Sequence, residues 1–211
     1  LLRYLNRFAS AELKPSLDDL GKIYRRPDQV SLETRGSLFR QRDIAQMGVK
    51  RLAKVNPKRA LDAMQVLSKR FDFDATQQTV MNSLIVRHSL FAKSAAPLDW
   101  ITARLAELRE DELTEIYLRS TIADSDWPSF RAGYEWLSAS RQTSDEWRTW
   151  RVMAAAPGEA ERSEAALSAL AAGRGFHAYL AAEILALSPS LARDEVVASR
   201  AASNSDVVRV R

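Results

Sequence analysis

The chain has 211 residues, of which 46% are hydrophobic and 27% are charged, and this composition is typical of a globular protein. It contains no cysteine, which excludes disulfides, thiol catalysis and zinc sites built on cysteine. Alanine, leucine, arginine and glutamate dominate, whereas glycine and proline number only 7 each, so the composition favours helix. No apolar run approaches the roughly 20 residues of a membrane-spanning helix.

Helical periodicity recurs along the chain, and strand signals are almost absent. A first apolar stripe lies within residues 42–55, and Asn56 and Pro57 then predict a new helix with a side-chain cap and a first-turn proline. The two predicted stripes are Ile44, Met47, Leu52 and Val55, followed by Leu61, Met64, Leu67 and Phe71.

Residues typical of helix starts continue towards the C-terminus. Further starts are predicted at Asp74, at Pro97, at the acidic segment 110–112 and at Asp126. Thr143 and Glu146 match a capping box directly before Trp147. The glycines at 173 and 175 bracket the last predicted junction.

These signals predict an all-α fold, an irregular α-solenoid or superhelix of antiparallel helix pairs. We expect about ten helices, with pairs recurring every 30 residues or so, which is in the range of helical-repeat arrays. The prediction is one α-superhelical domain over 1–211, a fragment of a larger protein, with a loop-rich connection containing one short helix at 14–40.

Candidate catalytic residues all have a simpler explanation. The sequence GRGFHA at 173–178 matches a dinucleotide fingerprint, but that motif requires a preceding strand and a helix is predicted there. His88 and His177 lack metal-ligand spacing. The acidic clusters, Asp72 with Asp74, Glu110–Glu112, Asp145 with Glu146, and Asp194 with Glu195, occupy turns or helix starts, and Glu183 is expected to face water. The sequence therefore predicts no catalytic, cofactor-binding or metal-binding residue, and no cofactor.

Positive charge is concentrated in the first part of the chain. Residues 1–100 hold 18 basic and 10 acidic side chains, whereas residues 101–211 hold 13 and 17. Such a bias either reflects solvated helix faces or favours an anionic polymer. The residues proposed for polyanion contact are Arg42, Lys50, Arg51, Lys54 and Lys58.

Two aromatic-rich stretches near the C-terminus are predicted to pack in the core. Trp147, Trp150 and Ala154 share one helix face. A second stripe, separated from the first by an alanine-rich segment, consists of Phe176, Leu180, Ile184 and Leu187. Small residues allow helices to approach closely while large aromatic side chains fill the adjoining space. The alternative is a sugar-stacking platform with one tryptophan face exposed.

These stretches, DEWRTWRVMAAA and AAGRGFHAYLAAEILAL, resemble the superhelical region of soluble lytic murein transglycosylases. The residues that match the family motif are Trp147, Trp150, Gly175, Phe176, Ala181 and Ala182. The resemblance covers about residues 125–187 and extends more weakly back to about residue 45. The segment APGEA departs from the family, which usually has a longer helix end there.

The resemblance implies a role in the bacterial periplasm, either soluble or associated with the envelope. Enzymes of this family cleave the bond between N-acetylmuramic acid and N-acetylglucosamine and leave an anhydro sugar. Their acid–base glutamate lies in a separate C-terminal lysozyme-like domain, within a Glu-Ser pair that this sequence lacks. The chain is therefore predicted to be the non-catalytic scaffold of a peptidoglycan lytic transglycosylase, which helps to hold or encircle glycan strands.

The partners implied by the resemblance are peptidoglycan glycan strands, the parent enzyme's own catalytic domain and a cell-wall protein. An α-solenoid adaptor that binds a protein partner is the alternative. A nucleic-acid binder is a third class, and it would require aromatic residues interleaved with arginines on an exposed face. The aromatic residues here follow predicted buried stripes instead, so no nucleic acid is expected as a partner.

Overall fold

The computed structural model describes residues 2–30, 38–92, 95–156, 158 and 160–188. These residues form twelve α-helices and no strand, which confirms the predicted all-α fold. The helices are α1 (Leu2–Phe8), α2 (Lys14–Arg25), α3 (Leu38–Val55), α4 (Pro57–Ser68), α5 (Ala75–Ser89), α6 (Leu98–Leu108), α7 (Asp111–Ala123), α8 (Trp127–Tyr134), α9 (Ala139–Gln142), α10 (Asp145–Met153), α11 (Ala160–Ala171) and α12 (Phe176–Ile184). A short 3₁₀ turn occupies Pro27–Gln29.

The helices are grouped in two compact units, residues 1–142 and residues 143–211. In the first unit, α3 packs against α2, α4 and α5, and α7 packs against α5 and α8. In the second unit, α10, α11 and α12 pack against one another. Short links between successive helices produce the paired arrangement that the sequence predicts. A single domain over 1–211 stays a prediction.

Side-chain caps fix three of the helix starts in the first unit. Asn56 Oδ1 accepts a hydrogen bond at 3.0 Å from the backbone amide three residues further on, at the start of α4. Asp74 and Gln77 form a reciprocal capping box on α5, with distances of 2.8 and 3.1 Å. Asp126 caps α8 by accepting a hydrogen bond from the Ser129 amide at 3.2 Å. These three caps confirm the sequence prediction, because capping depends on residues within one turn of the helix start.

The predicted cap of α10 is wrong by one residue. The N-cap residue is Ser144, one position after the predicted Thr143, and its hydroxyl accepts from the Trp147 amide at 3.5 Å. Two adjacent hydroxyl residues precede this helix, so the sequence alone does not determine which of them is the cap.

The segment 14–40 contains more helix than the sequence suggests. Helix α2 fills twelve of these residues, and Asp19 and Ile23 on it are buried. Pro15 lies in the first turn of α2, and Pro27 opens the 3₁₀ turn. Both prolines therefore begin an element, a position where their fixed φ and missing N–H are tolerated. Residues 31–37 lie outside the described part of the chain.

The buried face of α3 is formed largely by small residues. Ala45, Gly48, Val49 and Leu52 are buried on it, whereas Val55, which the periodicity placed in the core, is 75% exposed at the end of the helix. A Cβ atom on Gly48 would lie 2.2 Å from Val30 Cγ2, so glycine at this position allows the chain around Val30 to touch α3. This close approach is what positions the 3₁₀ turn against α3.

In the second unit, α12 packs through alanines and not through its large side chains. Ala178, Ala181 and Ala182 are buried, and the last two join Leu167 and Leu170 of α11 in one apolar cluster. The predicted core stripe is wrong at Phe176, which is 74% exposed, and also at Ile184 and Leu187, which are exposed. Both faces of this helix are apolar, so periodicity does not identify the buried one, and small side chains permit the closer contact with α11.

The two tryptophans of α10 differ in burial. Trp147 is 1% exposed, as predicted, whereas Trp150 is half-buried. The Thr149 side chain is also buried and donates to the Asp145 carbonyl at 2.7 Å within the helix. The core interpretation therefore holds for Trp147 and only in part for Trp150.

Replacing Gly48 by alanine should destabilise the first unit. The new methyl group must displace the buried Val30 side chain, and overpacking of this kind costs about 1–3 kcal/mol, more than the ~1 kcal/mol that alanine gains in helix propensity. Gly21→Ala on α2 is the matched control, because its Cβ would meet only the flexible end of Arg25 at 4.0 Å. Thermal unfolding followed by circular dichroism should show a lower melting temperature for G48A and an unchanged or higher one for G21A. A G48A variant as stable as G21A would contradict the close approach.

Trp147→Ala should cost about 3–5 kcal/mol in the free energy of unfolding, since it removes a large, fully buried side chain and leaves a cavity. Trp150→Ala should cost less, roughly 1–3 kcal/mol, because part of its ring already contacts water. Denaturant unfolding of the two variants measures both values. Equal losses, or a larger loss at Trp150, would be inconsistent with the burial of the two rings.

Candidate functional site

The acidic segment 110–112, the densest group of carboxylates in the sequence, is occupied by structural contacts. Glu110 Oε2 accepts from the Ser83 hydroxyl of α5 at 3.0 Å. Glu112 forms a two-pronged ion pair with Arg87 of α5, at 2.5 and 2.9 Å. The hydrogen bonds from Arg87, together with its positive charge, lower the pKa of Glu112 below its usual range. Both carboxylates therefore hold α7 against α5.

Asp111, between these two glutamates, binds the start of α9. Its two carboxylate oxygens accept from the Ser138 amide at 2.7 Å and from the Ser138 hydroxyl at 2.6 Å. Partial burial acts to raise the pKa of Asp111, but the two hydrogen bonds from Ser138 and the positive charge of Arg141 outweigh it, so the pKa is lowered. A general acid needs a raised pKa to hold its proton near neutral pH, and Asp111 has the opposite shift.

The remaining acidic candidates are capping or surface groups. Asp74 caps α5, and Asp72 is exposed. An Asp145 carboxylate oxygen lies 3.6 Å from a guanidinium nitrogen of Arg148, one turn along α10. Glu183 is exposed on α12, as the sequence predicts. Asp194 and Glu195 lie outside the described residues. Within the described ranges, no group of three His, Asp or Glu side chains could hold a metal ion.

The two histidines belong to different units of the chain. His88 lies in the last turn of α5, where burial lowers its pKa and the charges of Lys54 and Arg87 lower it further. His177 lies in the second unit, with its ring 5.2 Å from the Phe176 ring. Neither has the nucleophile or carboxylate neighbours of a catalytic histidine among the contacts of the described residues.

Four of the five basic residues proposed for polyanion contact lie on α3, and two of these, Arg42 and Arg51, make contacts within the first unit. Arg42 donates to the Asp72 carbonyl at 3.4 Å, and the Arg51 guanidinium stacks 3.7 Å from the centre of the Tyr24 ring. On α3 these two arginines flank opposite edges of the buried face, with Lys50 and Lys54 between them on the outer side. Lys58 is exposed in the first turn of α4. The charge is therefore spread around the helix pair.

The glycine motif at 173–178 joins two helices. Gly175 precedes α12 with a φ of 110°, a conformation that glycine adopts without strain, and α11 ends at Ala171. A dinucleotide fingerprint needs a strand at this point, so the motif is a helix–helix turn.

The stability of the chain should fall as pH decreases from about 5 to about 3. The carboxylates of Asp111, Glu112 and Asp126 have lowered pKa values, so their stabilisation is complete above the unfolded-state pKa of about 4 and is lost as pH falls through the lower folded-state values. Asp111→Asn should flatten this acid limb, because it removes one of the carboxylates with a lowered pKa. Melting temperatures across pH 3–7 measure the effect. The same slope in wild type and D111N would contradict it.

No helix in the described part of the chain combines the length and the apolar character needed to cross a membrane.

Three solved structures are similar in fold to this chain. An inactive mutant of the lytic transglycosylase Slt from Pseudomonas aeruginosa superposes with a TM-score of 0.70 at 19% identity, over 89% of this chain and 31% of that protein. A complex of the 70-kDa soluble lytic transglycosylase with bulgecin A superposes with a TM-score of 0.72 at 17% identity. The match covers 90% of this chain and 32% of that protein. The 70-kDa soluble lytic transglycosylase from Escherichia coli has a TM-score of 0.70 at 17% identity. The match covers 89% of this chain and 31% of that protein.

No protein-family model and no curated protein matches the sequence. The chain spans about a third of the length of the solved structures, and at this identity the likeness concerns the fold. Nearly the whole chain therefore has the helical fold found in one part of soluble lytic transglycosylases.

Proposed function

We propose that this chain is the non-catalytic helical scaffold of a peptidoglycan lytic transglycosylase, and that it helps to hold glycan strands in the periplasm for cleavage by a separate domain. The observation that carries the proposal is the extent of the fold similarity, which covers 89–90% of this chain but only 31–32% of the enzymes. A likeness of this kind is expected of a region that accompanies a catalytic domain.

The chemistry of the described residues supports a non-catalytic role. The carboxylates at 110–112 are bound to Ser83, Arg87 and Ser138, and their contacts join helices within the first unit. A lytic transglycosylase needs a carboxylic acid that first donates and then accepts a proton. The lowered pKa values of Asp111 and Glu112 do not suit such a group. The parent protein's lyase activity then belongs to the separate domain.

Binding to the cell wall would be weak and electrostatic. The peptides of peptidoglycan carry carboxylates, and Lys50, Lys54 and Lys58 lie on the outer sides of α3 and α4. A charge pattern spread over several faces attracts a polymer without forming a deep site. An adaptor role towards a protein partner is the alternative, and it predicts no retention on the cell wall.

The purified chain should release no anhydro-muropeptides from sacculi, and it should sediment with sacculi at low salt but not above about 0.15 M, where the screening length is ~8 Å. A Lys54→Gln, Lys58→Gln double variant should be retained less. Lys14→Gln with Lys69→Gln makes the same charge change at other exposed positions of the first unit and should have a smaller effect.

Three outcomes would count against the proposal. Release of anhydro-muropeptides would place chemistry in this chain. Absence of sedimentation at every salt concentration would favour the adaptor. Tight binding of duplex DNA at physiological salt, without retention on sacculi, would favour a nucleic-acid binder.

A further inference from the structure

A small cavity in the first unit combines opposite charges with an apolar floor. Its volume is about 150 Å³, and it lies between the 3₁₀ turn, α3 and α4. Leu52 and Ala63 are buried beneath it, and the exposed Val66 stands at its rim. Its remaining lining residues are charged, namely Asp28, Arg59 and Asp62.

Two local features bring these three charged residues together. Gly48 lets the chain around Val30 approach α3, which places the preceding 3₁₀ turn and Asp28 beside the cavity. The Asn56 cap starts α4 at Pro57, so that Arg59 and Asp62 follow one turn apart on the same side of the helix. Asp28 is half-exposed, while Arg59 and Asp62 are exposed.

We propose that this cavity binds a zwitterionic peptide group, with an ammonium held by Asp28 and Asp62 and a neighbouring carboxylate held by Arg59. Two carboxylates and one guanidinium are complementary to a ligand that carries both charges. The buried floor of Leu52 and Ala63 accepts the aliphatic part between them.

Size and charge exclude the other common ligands. A cavity of about 150 Å³ is smaller than the ~300–1,000 Å³ of sites for drug-sized ligands, so only the end of a larger molecule enters. Calcium requires six to eight oxygen ligands, and Arg59 opposes any cation without a carboxylate of its own. Asp28 and Asp62 repel a nucleic-acid phosphate.

The peptides of peptidoglycan provide such an end, because those that contain a diamino acid carry a free ammonium beside free carboxylates. This assignment of the source rests on the proposed function. A free dipeptide offers the same chemistry, so the two sources are distinguished by experiment.

Isothermal titration with a purified disaccharide–tetrapeptide muropeptide that contains a diamino acid tests the site. We expect saturable binding that weakens at least tenfold when the free amine of the muropeptide is acetylated. Asp28→Asn with Asp62→Asn should weaken it by a similar factor, and so should Arg59→Gln alone. Asp43→Asn, at an exposed position of α3 outside the cavity, should bind like wild type. L-Lysyl-D-alanine is titrated in parallel, and tighter binding of the muropeptide identifies peptidoglycan as the source.

Equal affinity of wild type and the Asp28, Asp62 double variant, or no binding of either probe at 10 mM or so, would overturn the assignment. Equal melting temperatures of wild type and the variants show that the change concerns the site and not the fold. Sedimentation with sacculi separates the two proposals. Retention that is unchanged in the double variant leaves the scaffold function in place and rejects this site, whereas dipeptide binding without retention on sacculi supports the site and rejects the scaffold function.

Discussion

Three consecutive carboxylates at the start of α7 link neighbouring helices of the first unit. Glu110 and Glu112 bind Ser83 and Arg87 on α5, and Asp111 between them binds the start of α9. One short turn thus joins three helices that are far apart in sequence. Polar links of fixed geometry such as these favour one arrangement of the helices that they join. The acids that are most conspicuous as catalytic candidates are the ones that the fold uses.

The same turn explains why acidic residues in a helical array are poor evidence for catalysis. Carboxylates placed at a helix start are favoured by the helix dipole and by unpaired backbone amides, whether or not the protein is an enzyme. Their contacts lower the pKa, as at Asp111 and Glu112, and so keep the side chains ionised. A catalytic acid requires the opposite environment, in which burial without a charged partner raises the pKa. The contacts of Asp111, Glu112 and Asp126 all lower the pKa of these carboxylates.

Three helix starts that are determined within a single turn were predicted correctly, and the cap of α10 was predicted one residue too early. The caps at Asn56, Asp74 and Asp126 depend on side chains three residues from their targets, so the local sequence contains the necessary information. The sequence-based prediction failed where the buried face of a helix depends on the neighbouring helix. On α12, alanines and large apolar residues occupy opposite faces, and only contact with α11 makes the alanine face the buried one. The cavity between the 3₁₀ turn and α4 likewise has no local signal, because Asp28 and Asp62 are brought together by the close approach at Gly48.

The distribution of charge in the first unit limits what the basic front half of the chain can do. An arginine stacked on an aromatic ring, as Arg51 is on Tyr24, has less freedom to follow a flexible polymer than an exposed lysine. Arg42 is bound to the Asp72 carbonyl on the other edge of α3, and Arg59 lies beside two carboxylates. Under the proposed function, the net positive charge would raise the local concentration of an anionic polymer over a broad surface, whereas recognition of a particular group requires a place where both signs of charge meet an apolar floor. The two proposals thus assign attraction and recognition to different residues of this unit.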